Sequence, residues 1–238
     1  MKVKDVQEKQ IGIKRRARKL FYSILSRRTW TLLKFDLLRL RARAKRVFES
    51  DVTPAHRKLH FGCGKRRVDG WLNVDVAGSD YDVDLASGPL PWKDGAFEAI
   101  VSQQVVEHLE IQHQLIPLFE ELSRVSTGGA EIWLACPDME TVCRSYFEHG
   151  GEDLLKDRQS RWPDFSIDAP SQQMVNVLFH QGGEHKNLYD FDLLRWALER
   201  GGFTDCERVN EADFYERFPE FPERGDDYSS LYVRAWAK

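Results

Sequence analysis

Apolar residues follow a helical period near the start of the chain and lose it near residue 54. The helical spacing is seen at Leu20, Phe21, Ile24, Leu25, Trp30, Leu33, Leu37, Leu38 and Leu40. Leu, Arg, Lys and Ala dominate this stretch and proline is absent from it, so residues 1–50 are predicted to be helical. Pro54 disfavours helix in the residue before it, which places the boundary of the helical segment at residues 51–54.

Short apolar runs bounded by turn residues alternate with helical patterns after this boundary. The predicted strands are residues 58–61, 71–74, 96–102, 131–136, 203–209 and 231–237. The predicted helices are residues 110–126, stopped by Gly128 and Gly129, about 139–149, and 190–200, stopped by Gly201 and Gly202. Strands that alternate with helices predict an α/β fold with a mostly parallel sheet.

Residues 138–185 interrupt this alternation. They contain one predicted helix, followed by a polar stretch with scattered aromatic residues and prolines. An insertion of this length after a sheet strand is typical of a lid or a substrate-binding loop. We therefore divide the chain into a basic helical extension over residues 1–53 and an α/β domain over residues 54–238, with a substrate-side insertion at about 138–185.

Charge is distributed unevenly along the 238 residues. The chain has 35 Lys and Arg, 38 Asp and Glu, and a formal net charge of −3. Residues 1–50 hold 16 Lys and Arg and 4 Asp and Glu, a net charge of +12, and the remainder carries −15. Such a split indicates that the N-terminal segment faces an anionic partner, which could be a membrane surface, a nucleic acid or the acidic body of the same protein.

Cysteine spacing and hydropathy argue against a zinc protein, a disulfide-bonded protein and a membrane-spanning protein. The four cysteines form no Cys-x-x-Cys pair, so neither a zinc site nor a disulfide framework is predicted, and reduced thiols favour a cytoplasmic location. No apolar run approaches the roughly 20 residues needed to cross a bilayer. The basic N-terminus also lacks the apolar core and cleavage site of a signal peptide.

Gly62, Cys63 and Gly64 follow the first predicted strand, and Asp75 follows the second. Glycines permit tight turns and close approach of a ligand at the carboxyl ends of strands, where open α/β folds bind ligands. The Asp75 carboxylate could accept hydrogen bonds from both hydroxyls of a ribose, so this order favours a nucleoside-containing cofactor. A dinucleotide fingerprint would need glycine where Arg67 stands and an acidic residue about 20 positions on, and both departures count against NAD.

At this point the sequence resembles the predicted S-adenosylmethionine-dependent methyltransferases of bacterial cell-surface polysaccharide pathways. The matching blocks are Leu59-His-Phe-Gly-Cys-Gly64, Gly70-Trp-Leu-Asn-Val-Asp75, Leu90-Pro-Trp-Lys-Asp-Gly-Ala-Phe97, Val106-Glu-His-Leu109, Arg124-Val-Ser-Thr-Gly-Gly129, Cys136-Pro-Asp138 and Leu193–Phe203. The resemblance implies a Rossmann-like class I methyltransferase fold with a mostly parallel seven-stranded sheet, and S-adenosyl-L-methionine as cofactor. One departure is Val125-Ser-Thr-Gly-Gly129, where the family usually has Leu-Lys-Pro-Gly-Gly, a block that is mainly a turn.

The resemblance also implies roles for individual residues. Gly62 and Gly64 line the methionine part of the cofactor, and Asp75 holds its ribose. Asp84-Leu85 corresponds to the place where such enzymes hold adenine, and Gln103 lies beside the sulfonium. The predicted cofactor site comprises His60, Gly62, Cys63, Gly64, Asp75, Val76, Asp84, Leu85 and Gln103.

Methyl transfer to a hydroxyl requires alignment of donor and acceptor and the removal of a proton. A sugar hydroxyl is a very weak acid, so we expect a histidine or carboxylate base. Glu107 and His108 follow the strand over residues 96–102, and His185 ends the insertion. The base is predicted to be His108 or His185, with Glu107 beside them, against the alternative that each histidine is structural. These residues and Asp138 could instead gather a divalent metal, but no tight ligand spacing supports this and no metal is predicted.

The basic N-terminal segment has three interpretations. It could lie on an anionic membrane surface as an amphipathic helix, pack against the acidic domain or a second copy of the chain, or bind nucleic acid, the last being least favoured. We expect a cytoplasmic protein, peripheral on the inner face of the membrane under the first interpretation.

The leading functional hypothesis is O-methylation of a sugar, glycolipid or polysaccharide intermediate with His-assisted deprotonation. One alternative is an RNA or other nucleic-acid methyltransferase. The Asn/Asp-Pro-Pro-aromatic block of enzymes that methylate base amines is absent after the 96–102 strand, which argues against that chemistry. The other alternative is a catalytically silent cofactor-binding subunit.

Overall fold

The computed structural model describes residues 27–49 and 51–238, so the helix predicted before residue 27 lies outside the described residues. Seven strands form one sheet. They are β1 (Lys58–Phe61), β2 (Leu72–Asp75), β3 (Tyr81–Asp82), β4 (Phe97–Gln103), β5 (Ser126–Pro137), β6 (Phe203–Val209) and β7 (Ser230–Ala237). The predicted mostly parallel seven-stranded sheet is confirmed.

The strand order is β3-β2-β1-β4-β5-β7-β6. Strands β1 to β5 are parallel to one another, and β7 runs antiparallel to both β5 and β6. The order along the chain reverses between β1 and β4, because β2 and β3 lie on one side of β1 and the later strands on the other. Ligands of open α/β sheets bind at such a reversal, beyond the carboxyl ends of the strands.

Within residues 27–49 and 51–238, seven α-helices flank the sheet or extend from it. They are α1 (Arg27–Phe48), α2 (Ile116–Val125), α3 (Met139–His149), α4 (Glu152–Arg161), α5 (Gln173–His180), α6 (Phe191–Arg200) and α7 (Glu211–Arg217). Single turns of other helix types lie at Val106–His108, Ile111–Leu115 and Gln181–Gly183. The insertion therefore contains α3, α4 and α5 rather than one helix.

Two apolar layers cover the sheet, one on each face. The larger contains Phe61, Ile100 and Phe119, and the smaller contains Trp71, Val101 and Trp133. Alternate residues of β4 enter opposite layers, as the period of a strand requires. The insertion has a small core of its own around Val142, Leu154, Met174 and Leu178, so it is folded rather than an irregular loop.

Several predicted bounds need correction. The turn assigned to Gly128 and Gly129 is wrong, because α2 ends at Val125 and both glycines lie within β5. The predicted 110–126 helix begins with the wide turn Ile111–Leu115. The strand β3 and the helices α4, α5 and α7 were not predicted. Strands β1 and β6 and helix α3 have the predicted bounds.

Candidate active site

A cavity of about 400 Å³ lies beyond the carboxyl ends of β1 and β2, and we term it the first cavity. Five of the nine predicted cofactor residues line it. These are Gly62, Asp75, Val76, Asp84 and Leu85. His108, one of the two predicted bases, lies in its wall as well. The structure therefore brings five of the predicted cofactor residues and one candidate base to the same cavity.

Asp75 ends β2 with its carboxylate fixed by the backbone. One oxygen accepts the N–H of Gly64 at 2.8 Å, and the other accepts the N–H of Val76 at 2.6 Å. Each carboxylate oxygen has a further lone pair after these bonds. Asp75 can therefore accept two hydroxyl donors in the first cavity without turning its side chain.

Gly62 allows the chain to leave β1 in a conformation that other residues rarely adopt. Its φ is +68°, and a Cβ built on it would lie 2.2 Å from Cγ2 of Val105. Val105 thus occupies the space that a side chain would need, while Gly62 itself faces the first cavity. A glycine is required here for both backbone conformation and packing.

Asp84 is buried in the wall of the first cavity, and its carboxylate is already well partnered. Its Oδ2 lies 2.7 Å from Nε of Arg43 and accepts the Ser87 hydroxyl at 3.0 Å. Its Oδ1 accepts the N–H of Ala86 at 3.1 Å and lies 3.9 Å from Arg39. The adenine contact of Asp84 stays a prediction, and the structure shows that this carboxylate also anchors α1.

Helix α1 forms one side of the first cavity, which sequence reasoning missed. Leu32, Phe35 and Arg39 face the cavity from this helix. Lys45 lies over the ring of Tyr81, 3.8 Å from its centre, and Tyr81 donates its hydroxyl to Glu49 at 2.6 Å. The basic helix therefore packs on the acidic domain beside the carboxyl ends of the strands.

Four predicted cofactor residues lie outside the lining of the first cavity. His60 is buried with Nδ1 3.2 Å from Oδ1 of Asn73, and burial lowers its pKa to about 4. Burial raises the pKa of Cys63 to about 11. Gln103 is buried as well, and Gly64 contributes only the amide that holds Asp75. Their contact with a cofactor stays a prediction.

Gln104, the residue after the predicted Gln103, lies where two cavities meet. It lines the first cavity and also a second cavity of about 200 Å³. Its φ is +61°, an uncommon value for a residue with a side chain, and its amide donates to the Ser230 hydroxyl at 3.0 Å. Such strained positions cluster at functional sites. No sequence signal distinguishes this conformation.

Glu107, His108 and His185 come together at the edge of the first cavity, as predicted. Their ligand atoms lie within 4.8 Å of one another, and the two imidazole rings are 4.9 Å apart between centroids. The backbone holds them there, because the carbonyl of Glu107 accepts the N–H of Lys186 at 2.9 Å. The end of the insertion is therefore fastened to the turn after β4.

Hydrogen bonds to carbonyl groups fix the proton positions of both rings. His108 Nδ1 lies 3.1 Å from the carbonyl oxygen of Glu184, and His185 Nδ1 lies 2.5 Å from that of Leu178. A carbonyl only accepts, so each Nδ1 carries the proton and each Nε2 of a neutral ring keeps a lone pair. The Nε2 of His185 is buried and has no partner among the described residues.

Glu107 is fully buried, and neither carboxylate oxygen has a hydrogen-bond partner among the described residues. Burial raises its pKa to about 8. Two imidazole lone pairs and one carboxylate are also ligands that transition metals accept. The fourth residue considered for a metal, Asp138, lies elsewhere: it caps α3 through the N–H of Glu140 and pairs with Arg208.

The second cavity lies on the insertion side of Gln104. Helices α4 and α5 line it with Arg158, Arg161 and Leu178, and the loop before β7 adds Arg224. Leu178 is also the residue whose carbonyl holds His185. The histidine pair therefore stands between the two cavities, with His108 in the wall of the first. Sequence reasoning placed a substrate segment here but identified none of these arginines.

Comparisons with known proteins were made for both sequence and structure. No family profile matches the chain, and no curated protein sequence is similar enough to count as a relative. Phosphoethanolamine N-methyltransferase 2 of Haemonchus contortus, solved with S-adenosyl-L-methionine, is 12% identical over 80% of this chain and 49% of its own, with a TM-score of 0.42. The chain thus spans about half of that protein.

Two other solved structures are similar at the same level. An S-adenosylmethionine-dependent methyltransferase from Mesorhizobium loti is 17% identical over 82% of this chain and 96% of its own, with a TM-score of 0.42. The [4+2]-cyclase SpnF is 18% identical over 85% of this chain and 79% of its own, with a TM-score of 0.41. Similarities this distant identify neither substrate nor reaction.

The strand order itself is more informative than these scores. Five parallel strands, reversed between β1 and β4, are followed by the antiparallel β7 inserted beside β5. This is a Rossmann-like α/β fold with an antiparallel seventh strand. Function has to be argued from the site, because one fold supports many activities.

Proposed function

We propose that the protein is an S-adenosylmethionine-dependent O-methyltransferase that acts on a sugar, glycolipid or polysaccharide intermediate. The observation that carries the proposal is Asp75, whose carboxylate is fixed by two amides in the wall of a cavity that also contains His108. A paired acceptor beside a glycine turn fits the two hydroxyls of a ribose. The solved complex of the Haemonchus contortus enzyme with S-adenosyl-L-methionine is consistent with this cofactor.

The first cavity accommodates the parts of this cofactor in an order that follows the strands. Asp75 after β2 binds the ribose hydroxyls, and the backbone at Gly62 after β1 borders the methionine part. Leu85 after β3 packs beside the adenine. Gln104 and the histidine pair, where the two cavities meet, would then border the methyl-bearing end of the cofactor.

The chemistry assigned to the cluster is proton removal. The cofactor supplies a methyl group on a positively charged sulfur, and its C–S bond breaks as the new C–O bond forms. Nε2 of His108 or His185 accepts the hydroxyl proton, because Nδ1 of each ring is already protonated. Glu107 lies beside the imidazolium so formed, and the carbonyl oxygen of its protonated carboxyl group can accept the new Nε2–H. Gln104 separates the donor side from the acceptor side, which fits an in-line transfer.

Isothermal titration calorimetry tests the cofactor. S-adenosylmethionine and S-adenosylhomocysteine are expected to bind, and NAD is expected not to. Asp75→Ala should weaken binding roughly 10-fold or more, because a charged acceptor of two hydrogen bonds is lost. Asp69→Ala is the matched control, since Asp69 is exposed in the same β1–β2 connection. Binding of NAD in place of S-adenosylmethionine would contradict the proposal.

Mass spectrometry of acceptors incubated with S-adenosylmethionine tests the reaction. Gain of one methyl group by a sugar or glycolipid supports the proposal. Methylation of RNA and not of a sugar would contradict the proposal and favour a nucleic-acid methyltransferase. Cofactor binding without transfer to any offered acceptor would favour a silent cofactor-binding subunit.

The proposal places the acceptor at an anionic membrane surface through α1. Leu37 and Leu40 are 56% and 58% exposed, and eight Lys and Arg against one Asp give α1 a strong positive charge. Two of its arginines pair with Asp84, and the remaining basic residues suit anionic headgroups. Among the described residues, none of the helices combines the length and hydrophobicity that a membrane span requires.

Sedimentation with liposomes tests this part. The full chain should sediment with anionic vesicles and not with neutral ones. A Leu33→Ser, Leu37→Ser and Leu40→Ser variant should lose this behaviour while cofactor binding is retained. Equal sedimentation of the variant and the parent would contradict a membrane role for α1.

A further inference from the structure

The second cavity is lined by three guanidinium groups and two carboxylates. The carboxylates are already committed to partners. Asp157 pairs with Arg161, and Asp226 lies 2.7 Å from Nε of Arg224. Asp226 also accepts the Tyr232 hydroxyl at 2.7 Å. Among the described residues Arg158 forms no ion pair within 4 Å, and Asp157 and Asp226 act on it only from a greater distance.

Arg158 is not an ordinary solvated surface arginine. Its guanidinium lies 4.8 Å from the centre of the Trp162 ring and 5.7 Å from that of Phe165, so aromatic rings hold it against the cavity. Burial lowers the pKa of Arg158 and the neighbouring Arg161 lowers it further, while the carboxylates of Asp157 and Asp226 offset only part of this effect. A half-buried cation placed beside another cation is stabilised by an anion between them.

Arg161 is positioned by the same indole ring. Its guanidinium lies 4.9 Å from the centre of Trp162, and it donates to the Ser229 hydroxyl at 3.1 Å. Its Nε is buried and has no hydrogen-bond partner among the described residues. The planar fork of arginine matches the spacing of the oxygens in a carboxylate or a phosphate. One oxyanion would satisfy this Nε–H and the charge of Arg158 together.

The cavity is also placed to present an acceptor to the reaction. It shares Gln104 with the first cavity, and its wall residue Leu178 holds His185. Arg158 lies near enough to His185 to lower the pKa of the imidazole. A molecule anchored by its anion at Arg158 would therefore reach the histidine pair with a hydroxyl next to the anionic group.

We infer that the second cavity binds an oxyanion of the methyl acceptor, through Arg158 with support from Arg161 and Arg224, so that the acceptor is an acidic or phosphorylated sugar rather than a neutral one. The inference rests on the proposed methyltransferase function only where it calls the bound molecule a methyl acceptor. The oxyanion site itself follows from the unbalanced charge and the unpartnered Nε–H. Either a uronic carboxylate or a phosphate ester supplies this chemistry.

Calorimetry on the full chain tests the inference with four probes: inorganic phosphate, glucose 1-phosphate, glucuronate and neutral glucose. At least one anionic probe should bind while glucose does not, and which one binds identifies the source of the oxyanion. Arg158→Gln should weaken binding roughly 10-fold to 100-fold, the loss expected for a charge-assisted hydrogen bond. Lys156→Gln, on the exposed side of the same helix, should bind as the parent does.

Titration of S-adenosylmethionine into the same variants separates this inference from the proposed function. Arg158→Gln should bind the cofactor normally, which also shows that it is folded. Failure of all three anionic probes with a protein that binds S-adenosylmethionine overturns the oxyanion site and leaves the function standing. Equal anion affinity of Arg158→Gln and Lys156→Gln overturns it too. Anion binding without cofactor binding overturns the methyltransferase instead.

Discussion

The guanidinium of Arg43 lies 2.7 Å from the carboxylate of Asp84 and so joins the N-terminal helix to the wall of the first cavity. The two residues are 41 positions apart, and the side chain of Asp84 is only 4% exposed. A carboxylate at this depth requires a counter-charge. The basic helix is therefore part of the site as well as an appendage to it.

Arg43→Ala is expected to lower the free energy of unfolding by about 1 kcal/mol, because Arg43 itself is half-exposed and solvent screens part of the pair. It should also weaken S-adenosylmethionine binding, since α1 supplies Leu32 and Phe35 to the cavity wall. Denaturant titration and calorimetry measure the two effects. Arg41→Ala, on the exposed side of the same helix, is the control and should change neither.

Gly62→Ala is expected to destabilise the protein by about 2–4 kcal/mol, measured by urea denaturation. The new Cβ would lie 2.2 Å from Val105 in a backbone conformation that disfavours a side chain. Gly64→Ala should cost only about 1 kcal/mol, since its φ is +54° but nothing lies within 4 Å of its Cβ. The double variant Gly62→Ala and Val105→Ala should recover the part of the lost free energy of unfolding that is caused by the clash with the Val105 side chain. No recovery would show that backbone strain alone decides this position.

Stability should depend on pH through Glu107. Its pKa in the folded protein is raised from 4.5 to about 8, so the folded state binds more protons than the unfolded state between these values. The free energy of unfolding therefore falls as pH rises from 4.5 to 8, by at most about 1.4 kcal/mol per unit from this group. Glu107→Gln should flatten this slope in denaturation curves recorded from pH 5 to 8. If the free energy of unfolding of the parent protein does not fall with pH, the prediction is wrong and Glu107 is ionised beside a compensating cation.

The two histidines can be distinguished by turnover. Loss of the base should reduce kcat roughly 100-fold to 10,000-fold and leave cofactor affinity nearly unchanged. His108→Gln and His185→Gln are compared with His113→Gln, an exposed residue of the neighbouring turn. If both rings are structural, neither variant will show a selective loss of kcat. In each of them kcat will instead fall in proportion to the loss of stability.

Proton removal also predicts a pH profile. Burial lowers the pKa of His185 below 6.5, so its Nε2 is unprotonated at neutral pH. If His185 is the base, kcat should stay level around pH 7 and decline only as the pH falls below 6.5. Rates measured from pH 5 to 8 check this. A rise in rate toward acid would exclude His185 as the base.

The sheet could be predicted because most of its strands are short apolar runs, and β1, β2 and β5 end at a glycine, an aspartate or a proline. Helix α4 could not, since Leu154 is the one residue of its ten that is buried, and no apolar period is present. Helix α7 does carry a signal, the reciprocal capping pair Asn210 and Asp213. The two-residue strand β3 is too short to show a period.

The position of residues next to strand ends could be predicted: Gly62, Asp75 and His108 line one cavity, while their roles there stay predictions. The position of residues on distant segments could not be predicted. Arg158 and Arg224 come from different parts of the chain, and their charges matter only because folding turns both toward one cavity. Gln104, and not Gln103, lines both cavities, and it does so with a backbone angle that the amino-acid type does not reveal.

Gln104 also determines how the two ligands can be exchanged. The two cavities are lined by different helices, α1 on one side and α4 with α5 on the other, and share this one residue. A spent donor can therefore leave past α1 while the acceptor stays anchored among the arginines. If the first cavity binds the donor and the second the acceptor, as proposed, the two would need no fixed order of binding, and a second methyl group could be added to the same acceptor before it dissociates.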